Sequence, residues 1–566
     1  MRRLKKLATL LTAVIMVMSL AAPAYAAYDP DAQSTITFTT VGGNRVSLLA
    51  DSATATNTLY GYKLLTLTTS LKAGDTCGGG SHSETCYNYA YYVNPKYENC
   101  MLDAANGMIG DGDDEITSLT LISFIGGLSS TDAQTFADEV YRNILDADLE
   151  ADVEDIATSP TTSIEVDKGY WMFADVTSYS GVDNINSVVL LETKGDETLT
   201  VTPKQDVPTL TKYVSDTDKD LGAITTSCVD AQVGDTVYFE ITATISNYLT
   251  SYEEYPMNII DSMATGLEYQ DDLTVYIVDS SDNSADISEI FTIEAGDYTS
   301  GSATDITVSC DDLIQYIPTL SSDMKIIVRY SAKVTSDVDT NYTGNVNSAY
   351  LEYLGNPYEN TSTRSTLNKT TTQNAYVYSY GIQMTKVNGD DEAEVLTGAE
   401  FRIYYTTSSA KTMYAQVSGG AITGWAEATQ SSGSTVYPDN STVEVDSNGV
   451  LHVTGFDSDV AYYIEETKAP DGFVKLNDPV EITMDSEYSS TGVSSLEADI
   501  AIGDDESTIE GNYITGIVPF KLGNYAGAEL PITGGNGVYV LYTAGGIIIA
   551  AAAFTLVNKK KKASVK

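Results

Sequence analysis

The sequence is nearly without histidine: His82 and His452 are the only two in 566 residues. That scarcity argues against a Ser-His-Asp or Cys-His catalytic centre and against a histidine-rich metal site. Basic side chains are scarce too, 30 Lys and Arg against 79 Asp and Glu, a net charge of −49. A chain this acidic lacks the clustered cations that hold phosphate backbones, so nucleic acid is excluded as a partner. Apolar residues still make up 42% of the chain, enough for packed cores, and the acidity is no sign of disorder. What abounds is tyrosine (40) and glycine (43), with many Thr and Val, a composition that favours strands. The length calls for three or four domains.

Five cysteines suit an oxidising compartment better than catalysis. Cys228 and Cys310 fall in one expected domain and could form a disulfide. Cys77, Cys86 and Cys100 cluster in another, where one is left over. Independent thiols are the competing reading.

The two ends carry addresses. Arg2, Arg3, Lys5 and Lys6 precede an apolar run over residues 7–22, and Ala24-Tyr25-Ala26 gives a small-x-small pattern. Residues 1–26 read as a secretory signal peptide cut after Ala26, its apolar core being short for a membrane anchor. Near the other end Leu530-Pro531-Ile532-Thr533-Gly534 precedes an uncharged stretch, 538–557, long enough to cross a bilayer as a helix, and then the basic run 559–562. With four basic residues in 1–26 and five in 534–566, residues 27–533 keep 21 against all 79 acids, a net −58. Such a segment is soluble and self-repelling.

Between the ends the pattern predicts three blocks. Residues 27–207 mix strands (35–40, 60–67, 170–176, 187–192, 198–202) with one helix. Ser130-Thr131 starts it: Thr131 and Gln134 have capping-box spacing, and Phe136, Ala137, Val140, Tyr141 and Ile144 share a face. Asp111, Asp113, Asp114 and Glu115 form an acidic cluster without the full calcium-loop pattern, and read as a solvated loop. We expect no metal and no cofactor. Val207-Pro208 marks a junction. Residues 208–376 read as an all-β sandwich with strands at 236–245, 273–278, 325–334 and 347–353. Residues 377–527 have the same texture, with strands at 377–387, 400–405, 460–466 and 517–522.

Some residues break the strand alternation. Period two puts Lys212 on the face of Leu210 and Val214, Asp261 on that of Met257 and Ile259, and Asn347 on that of Ala349, Leu351 and Tyr353. The third block repeats the trio: Lys386 with Ile382 and Met384, Glu466 with Tyr462 and Ile464, Asn524 in phase with Val518, Phe520 and Leu522. An unpaired buried charge costs several kcal/mol, so each Lys and acid needs a partner. One reading is a buried salt bridge with a hydrogen-bonded Asn. The other is chemical. Burial lowers a Lys pKa and raises a carboxyl's, and a neutral amine beside an Asn carboxamide can displace ammonia to leave a Lys–Asn isopeptide bond, with Asp261 and Glu466 as acid–base catalysts.

Three motifs carry a family resemblance. Tyr462-Tyr463-Ile464-Glu465-Glu466-Thr467-Lys468-Ala469-Pro470-Asp471-Gly472-Phe473 resembles the E-box, YxLxETxAPxGY, of sortase-assembled pilins, with Ile and Phe in place of Leu and the last Tyr. Thr198-Leu199-Thr200-Val201-Thr202-Pro203-Lys204 resembles their pilin motif, with Thr202 where Tyr is common. Residues 345–353 look like the last strand of the family's middle domain. The ordered LPxTG, apolar stretch and basic tail resemble a cell-wall sorting signal, residues 528–566. The resemblance implies a mainly β chain of tandem immunoglobulin-like, collagen-adhesin-type β-sandwich domains, with some helix in the first domain and a C-terminal transmembrane helix. It implies isopeptide bonds Lys212–Asn347 with Asp261 and Lys386–Asn524 with Glu466, Asn345 and Asn512 being the rival acceptors. It also implies that a sortase cleaves between Thr533 and Gly534 and that Lys204 of another subunit attacks the thioester.

The function this suggests is a shaft subunit of a cell-surface pilus, not a turnover enzyme. Its partners are other copies of itself, minor pilins, pilin-class and housekeeping sortases, peptidoglycan, and host surface or matrix ligands. The alternative is a monomeric wall-anchored adhesin or a minor tip or base pilin. A secreted hydrolase built on paired acids such as Asp113 and Glu115 has little support.

Overall fold

Runs of alternating β-branched and aromatic residues fold as strands in every block of the described residues. The structure is a computed structural model and describes residues 33–39, 57–71, 87–110, 113–158, 161–179, 182–195, 198–201, 208–358, 367–489, 492–503 and 505–527. The expected signal peptide (1–26), Cys77, Cys86, Asp111, Lys204 and everything from residue 528 onward, including Leu530, Pro531, Thr533 and Gly534, lie outside the described residues.

The first block has two sheets and the only long helices among the described residues. Strands Thr161–Val166, Ser34–Thr39 and Thr198–Val201 make one sheet. The other runs Tyr87–Val93, Asn57–Leu71, Gly169–Tyr179, Val182–Thr193, with Val153–Thr158 also paired to Asn57–Leu71. Helices α1 (Glu98–Gly107), α2 (Leu121–Ile125) and α3 (Ser130–Asp146) belong to the same block. α3 buries the expected stripe of Phe136, Ala137, Val140, Tyr141 and Ile144. It starts at Ser130, as expected, but its cap is not the expected box. Ser129 is the last extended residue, and its Oγ accepts from the Asp132 amide at 3.1 Å, so Thr131 already lies inside the first turn. Gln134 instead reaches along the helix to Asp138 at 2.9 Å. Asp113, Asp114 and Glu115 are exposed.

The middle block stacks two sheets. One contains β1 (Leu210–Ser215), β2 (Thr236–Thr244) and, beyond β2, the long strand Lys325–Val334. The other contains β3 (Met257–Met263), while Lys325–Val334 becomes β4 and Asn345–Tyr353 becomes β5. In that second sheet the order is Cys228–Asp230, Gln373–Tyr378, β5, β3, Thr304–Cys310, Thr292–Ala295. Cys228 and Cys310 therefore sit on strands four steps apart, roughly 19 Å at strand spacing, against the ~7 Å limit of a disulfide. Both are free thiols, and the expected pairing is not formed. Cys100 in α1 is also free and buried.

The third block is one hydrogen-bonded path folded into two layers. β6 (Tyr380–Asn388) pairs in parallel with β9 (Ile517–Asn524), whereas β7 (Glu400–Thr406) pairs with β8 (Ala461–Lys468) on the other layer. The two halves join at a single pair, Ala421–Thr454. The strand expected over 377–387 is two strands, interrupted at Ser379, whose Oγ donates to the Phe456 carbonyl at 2.9 Å. Tyr378 ends a strand of the middle sheet and Tyr380 opens a strand of the next. A continuous apolar cluster links the two blocks.

Candidate functional site

Strand phase decides what meets inside the middle block. Lys212 on β1 points across the sandwich, and Asp261 on β3 and Asn347 on β5 lie diagonally on neighbouring strands of the facing sheet, since Asp261 pairs with Ala349 and Met263 with Asn347. All three are buried, Asn347 completely. Lys212 Nζ forms an ion pair with Asp261 Oδ2 and donates to Asn347 Oδ1 at 2.8 Å and to the Tyr330 hydroxyl at 2.9 Å. Three donors on an ammonium meet three acceptors. Tyr330, on β4, donates to Asp261 Oδ2 at 2.8 Å and accepts from Asn347 Nδ2 at 2.7 Å. Phe239 stacks on the Tyr330 ring with centroids 5.3 Å apart and completes an apolar jacket. Asp261 Oδ1 has no hydrogen-bond partner. Burial pushes the Lys212 amine down and the Asp261 carboxyl up, each opposed by the other's charge. Both shifts favour the neutral pair, an amine with a free lone pair and a carboxyl with a proton to give.

The third block assembles its trio differently. Here Lys386 and Asn524 lie on neighbouring parallel strands, β6 and β9, where Lys386 pairs with Leu522 and Asn388 with Asn524. The acid comes from the opposite layer. Glu466 ends the inward row Tyr462, Ile464, Glu466 of β8, each fully or nearly fully buried. Lys386 Nζ lies 3.5 Å from Glu466 Oε1 and donates to the Leu522 carbonyl at 3.2 Å. Asn524 Nδ2 donates to Glu466 Oε2 at 2.9 Å and to the Val474 carbonyl at 2.6 Å. The Leu476 amide donates to Glu466 Oε2 at 2.7 Å. Burial pulls the Lys386 amine down to about 8, against the opposing pull of Glu466. Glu466 Oε1 and Asn524 Oδ1 are buried without a hydrogen-bond donor.

The rival amides are engaged elsewhere. Asn345 is buried but bonds the backbone of Asp339 and the Val377 carbonyl with both of its amide atoms. Asn512 is exposed in a turn, accepting from the Ile514 amide. Sequence reasoning missed Tyr330, although it shares the buried phase of Val328, Ala332 and Val334, where a hydroxyl needs a partner. It also missed Val474 and Leu476, whose backbone groups serve from a loop with no pattern to betray them. In the strand Thr198–Val201 before Lys204, Thr198 and Thr200 are exposed and Leu199 is half-buried, and the strand runs parallel to Ser34–Thr39.

Residues 381–495 match the model of a prealbumin-like fold domain of the SpaA type, and residues 524–564 match the LPXTG cell wall anchor motif. The protein is thus a surface protein anchored to the cell wall. No curated protein matches the chain. Among solved structures, the T6 backbone pilin of serotype M6 Streptococcus pyogenes is similar at 15% identity and a TM-score of 0.50, over 89% of this chain and all of that one. The full-length major pilin SpaD from Corynebacterium diphtheriae is similar at 14% identity and a TM-score of 0.40, over 89% of this chain and 99% of its own. The major pilin subunit BcpA of Bacillus cereus is similar at 12% identity and a TM-score of 0.37, over 88% and 99%. Identities this low speak for the fold alone, and the first of the three carries that point: this is a mainly β, multi-domain, pilin-like chain with a few helices in its N-terminal part.

Proposed function

We propose that this protein is the shaft subunit of a sortase-polymerised pilus. Its blocks 27–207, 208–376 and 377–527 serve as tandem domains, the last two immunoglobulin-like sandwiches of the collagen-adhesin type. A pilin-class sortase cleaves after Thr533, and Lys204 of another copy takes the acyl group. Head-to-tail repetition of that step builds an open filament, which a housekeeping sortase finally joins to peptidoglycan. Within each subunit Lys212 bonds to Asn347 and Lys386 to Asn524, with Asp261 and Glu466 as the acids. Each bond forms once, so the protein is a structural element and not a turnover enzyme.

The observation that supports this reading best is the pair of buried trios, each with a depressed amine against a carboxyl and a carboxamide, in a chain that carries a wall anchor. Burying an ion pair is seldom a gain in stability by itself. A covalent tie between the first strand of a sandwich and one near its end has a use where the chain is pulled from both ends. A wall-anchored monomer or a minor pilin would keep the trios and lack the Lys204 linkage.

The test is an immunoblot of cell-wall extracts boiled in detergent, parent against Lys204→Ala. A ladder that collapses to one band in the variant supports the shaft reading. One band in both strains makes the protein a monomeric surface protein, and a ladder that survives moves the acceptor to another lysine. Intact mass of the secreted subunit checks the internal bonds, with two ammonia losses expected.

A further inference from the structure

The two trios differ at the nitrogen that must leave. In the third block Asn524 Nδ2 donates straight to the acid, Glu466 Oε2, at 2.9 Å. In the middle block no hydrogen bond joins Asn347 to Asp261. Asn347 Nδ2 donates instead to the Tyr330 hydroxyl at 2.7 Å, and that hydroxyl donates to Asp261 Oδ2 at 2.8 Å. The Tyr330 hydroxyl oxygen also accepts from Lys212 Nζ at 2.9 Å. One buried hydroxyl thus touches the nucleophile, the acid and the leaving group together.

We propose that Tyr330 is a catalytic residue of the middle-block crosslinking reaction, carrying a proton from Asp261 to the departing nitrogen of Asn347. This rests on the isopeptide reading above. The reaction starts with Lys212 as a neutral amine and Asp261 protonated. Nζ attacks Asn347 Cγ, the C–N bond forms, and the carbonyl electrons move onto Oδ1. The carboxamide nitrogen, now an amine with a lone pair, can accept a proton. Tyr330 gives it one and takes the Asp261 proton in exchange, its hydrogen bond to Oδ2 reversing direction. The carbonyl re-forms, the Cγ–Nδ2 bond breaks and ammonia leaves. Nζ loses its surplus proton to the Asp261 carboxylate. The products are an amide and ammonia, with Tyr330 and Asp261 as they began.

The length of the acid explains why only one site needs a relay. Aspartate is one methylene shorter than glutamate, and the Tyr330 hydroxyl spans the difference. Its ring is held by the Phe239 stack at 5.3 Å and by Tyr269, edge-on at 5.9 Å. Burial, and then the charge of Asp261, push the Tyr330 pKa well above its ordinary value. The phenol therefore stays protonated and works as a two-way conduit, not as a base. The third block has Phe401 beside its lysine, 6.0 Å from Nζ to the ring centre, which offers no hydroxyl.

The experiment is to express the subunit without sortase, as parent, Tyr330→Phe, and Tyr330→Phe with Asp261→Glu. Intact mass and mapping of crosslinked peptides are followed over time after synthesis. The parent is expected to lose two ammonia molecules. Tyr330→Phe is expected to lose one promptly, at Lys386–Asn524, which serves as a control within the same molecule, while Lys212–Asn347 closes at least about 100-fold more slowly. Hydrogen exchange of β3 and β5 at parental level confirms that the middle block is folded. In the double variant the longer acid reaches the nitrogen itself, and the bond returns. Closure of Lys212–Asn347 at the parental rate in Tyr330→Phe overturns the proposal. So does a slow single variant that glutamate fails to rescue, since the hydroxyl then acts only through packing. A parent that keeps the unmodified mass overturns the crosslinking reading itself, and this role with it.

Discussion

Lys386 shows at the scale of one residue what burial does. Its side chain is fully enclosed, and desolvation draws its pKa from 10.5 to about 8. A lysine whose folded pKa is depressed binds fewer protons in the native state than when unfolded across that interval. Stability therefore rises with pH between about 8 and 10.5, and is penalised below. The effect is open to view once the crosslink is prevented. In an Asn524→Ala subunit we expect the thermal midpoint of the third block to climb across that window, relative to the same subunit carrying Lys386→Met. Equal slopes in the two chains would mean that the amine is not held neutral. Residue types alone pointed to Lys386, Glu466 and Asn524, because each occupies a core phase that a polar group avoids. The partners of those atoms were not legible. Val474 and Leu476 serve through backbone groups, and any side chain there would leave the same carbonyl and amide.

At the scale of the element, periodicity was a good guide, and caps and sheet changes were the poorly marked features. The apolar stripe of α3 and the full extent of β4 follow from spacing alone. The start of α3 depends on which hydroxyl can turn back onto a free amide, and the residue in the extended conformation, Ser129, does so. Replacing Ser129 with Ala should cost about 1 kcal/mol of local helix stability. The amides of the first turn would then exchange roughly fivefold faster, read by hydrogen exchange on the intact subunit, with the C-terminal half of α3 unchanged. If exchange does not change, the helix start is held by its packing and not by the cap. The division of 377–387 into β6 and the strand before it has a similar cause. Nothing in Val377-Tyr378-Ser379-Tyr380 breaks alternation, yet Ser379 is where the chain leaves one sheet for another.

On the scale of the whole molecule, the blocks are joined by polar contacts that no pattern announces. At the first joint, Asp138 of α3 accepts from Ser251 at 2.8 Å and from Tyr358 at 2.8 Å, and the Tyr358 ring packs edge-on against Tyr141. At the second, Asp230 accepts from Ser458 and Ser486, and Tyr462 of β8 donates to Gln232 at 3.0 Å. This second joint is acidic. Burial, then Asp230 and Asp235, push Asp457 up to about 8. Burial raises Asp230 to about 6, with the bonds from Ser458 and Ser486 working against it. A carboxyl whose folded pKa is raised holds its proton longer in the native state, so its stabilising effect is complete below about pH 4 and fades as pH rises through 8. The midpoint of thermal unfolding is expected to fall over that range. Asp457→Asn should flatten the fall between pH 6 and 8, and an unaltered profile in that variant would exonerate the joint.

The sequence by itself determined the β class, the C-terminal wall-anchor signal and the inward phase of the six residues of the trios. Each of these is a local matter of composition, of spacing, or of a polar residue in an apolar phase. Tertiary structure decided the rest. It set β5 against β3 so that Asn347, and not Asn345, faces Lys212. It held Cys228 and Cys310 on strands too far apart to bond. It took the acid of one trio from the amide's own sheet and that of the other from the opposite layer. These outcomes depend on which strands become neighbours, and a single strand's alternation carries no record of its neighbour.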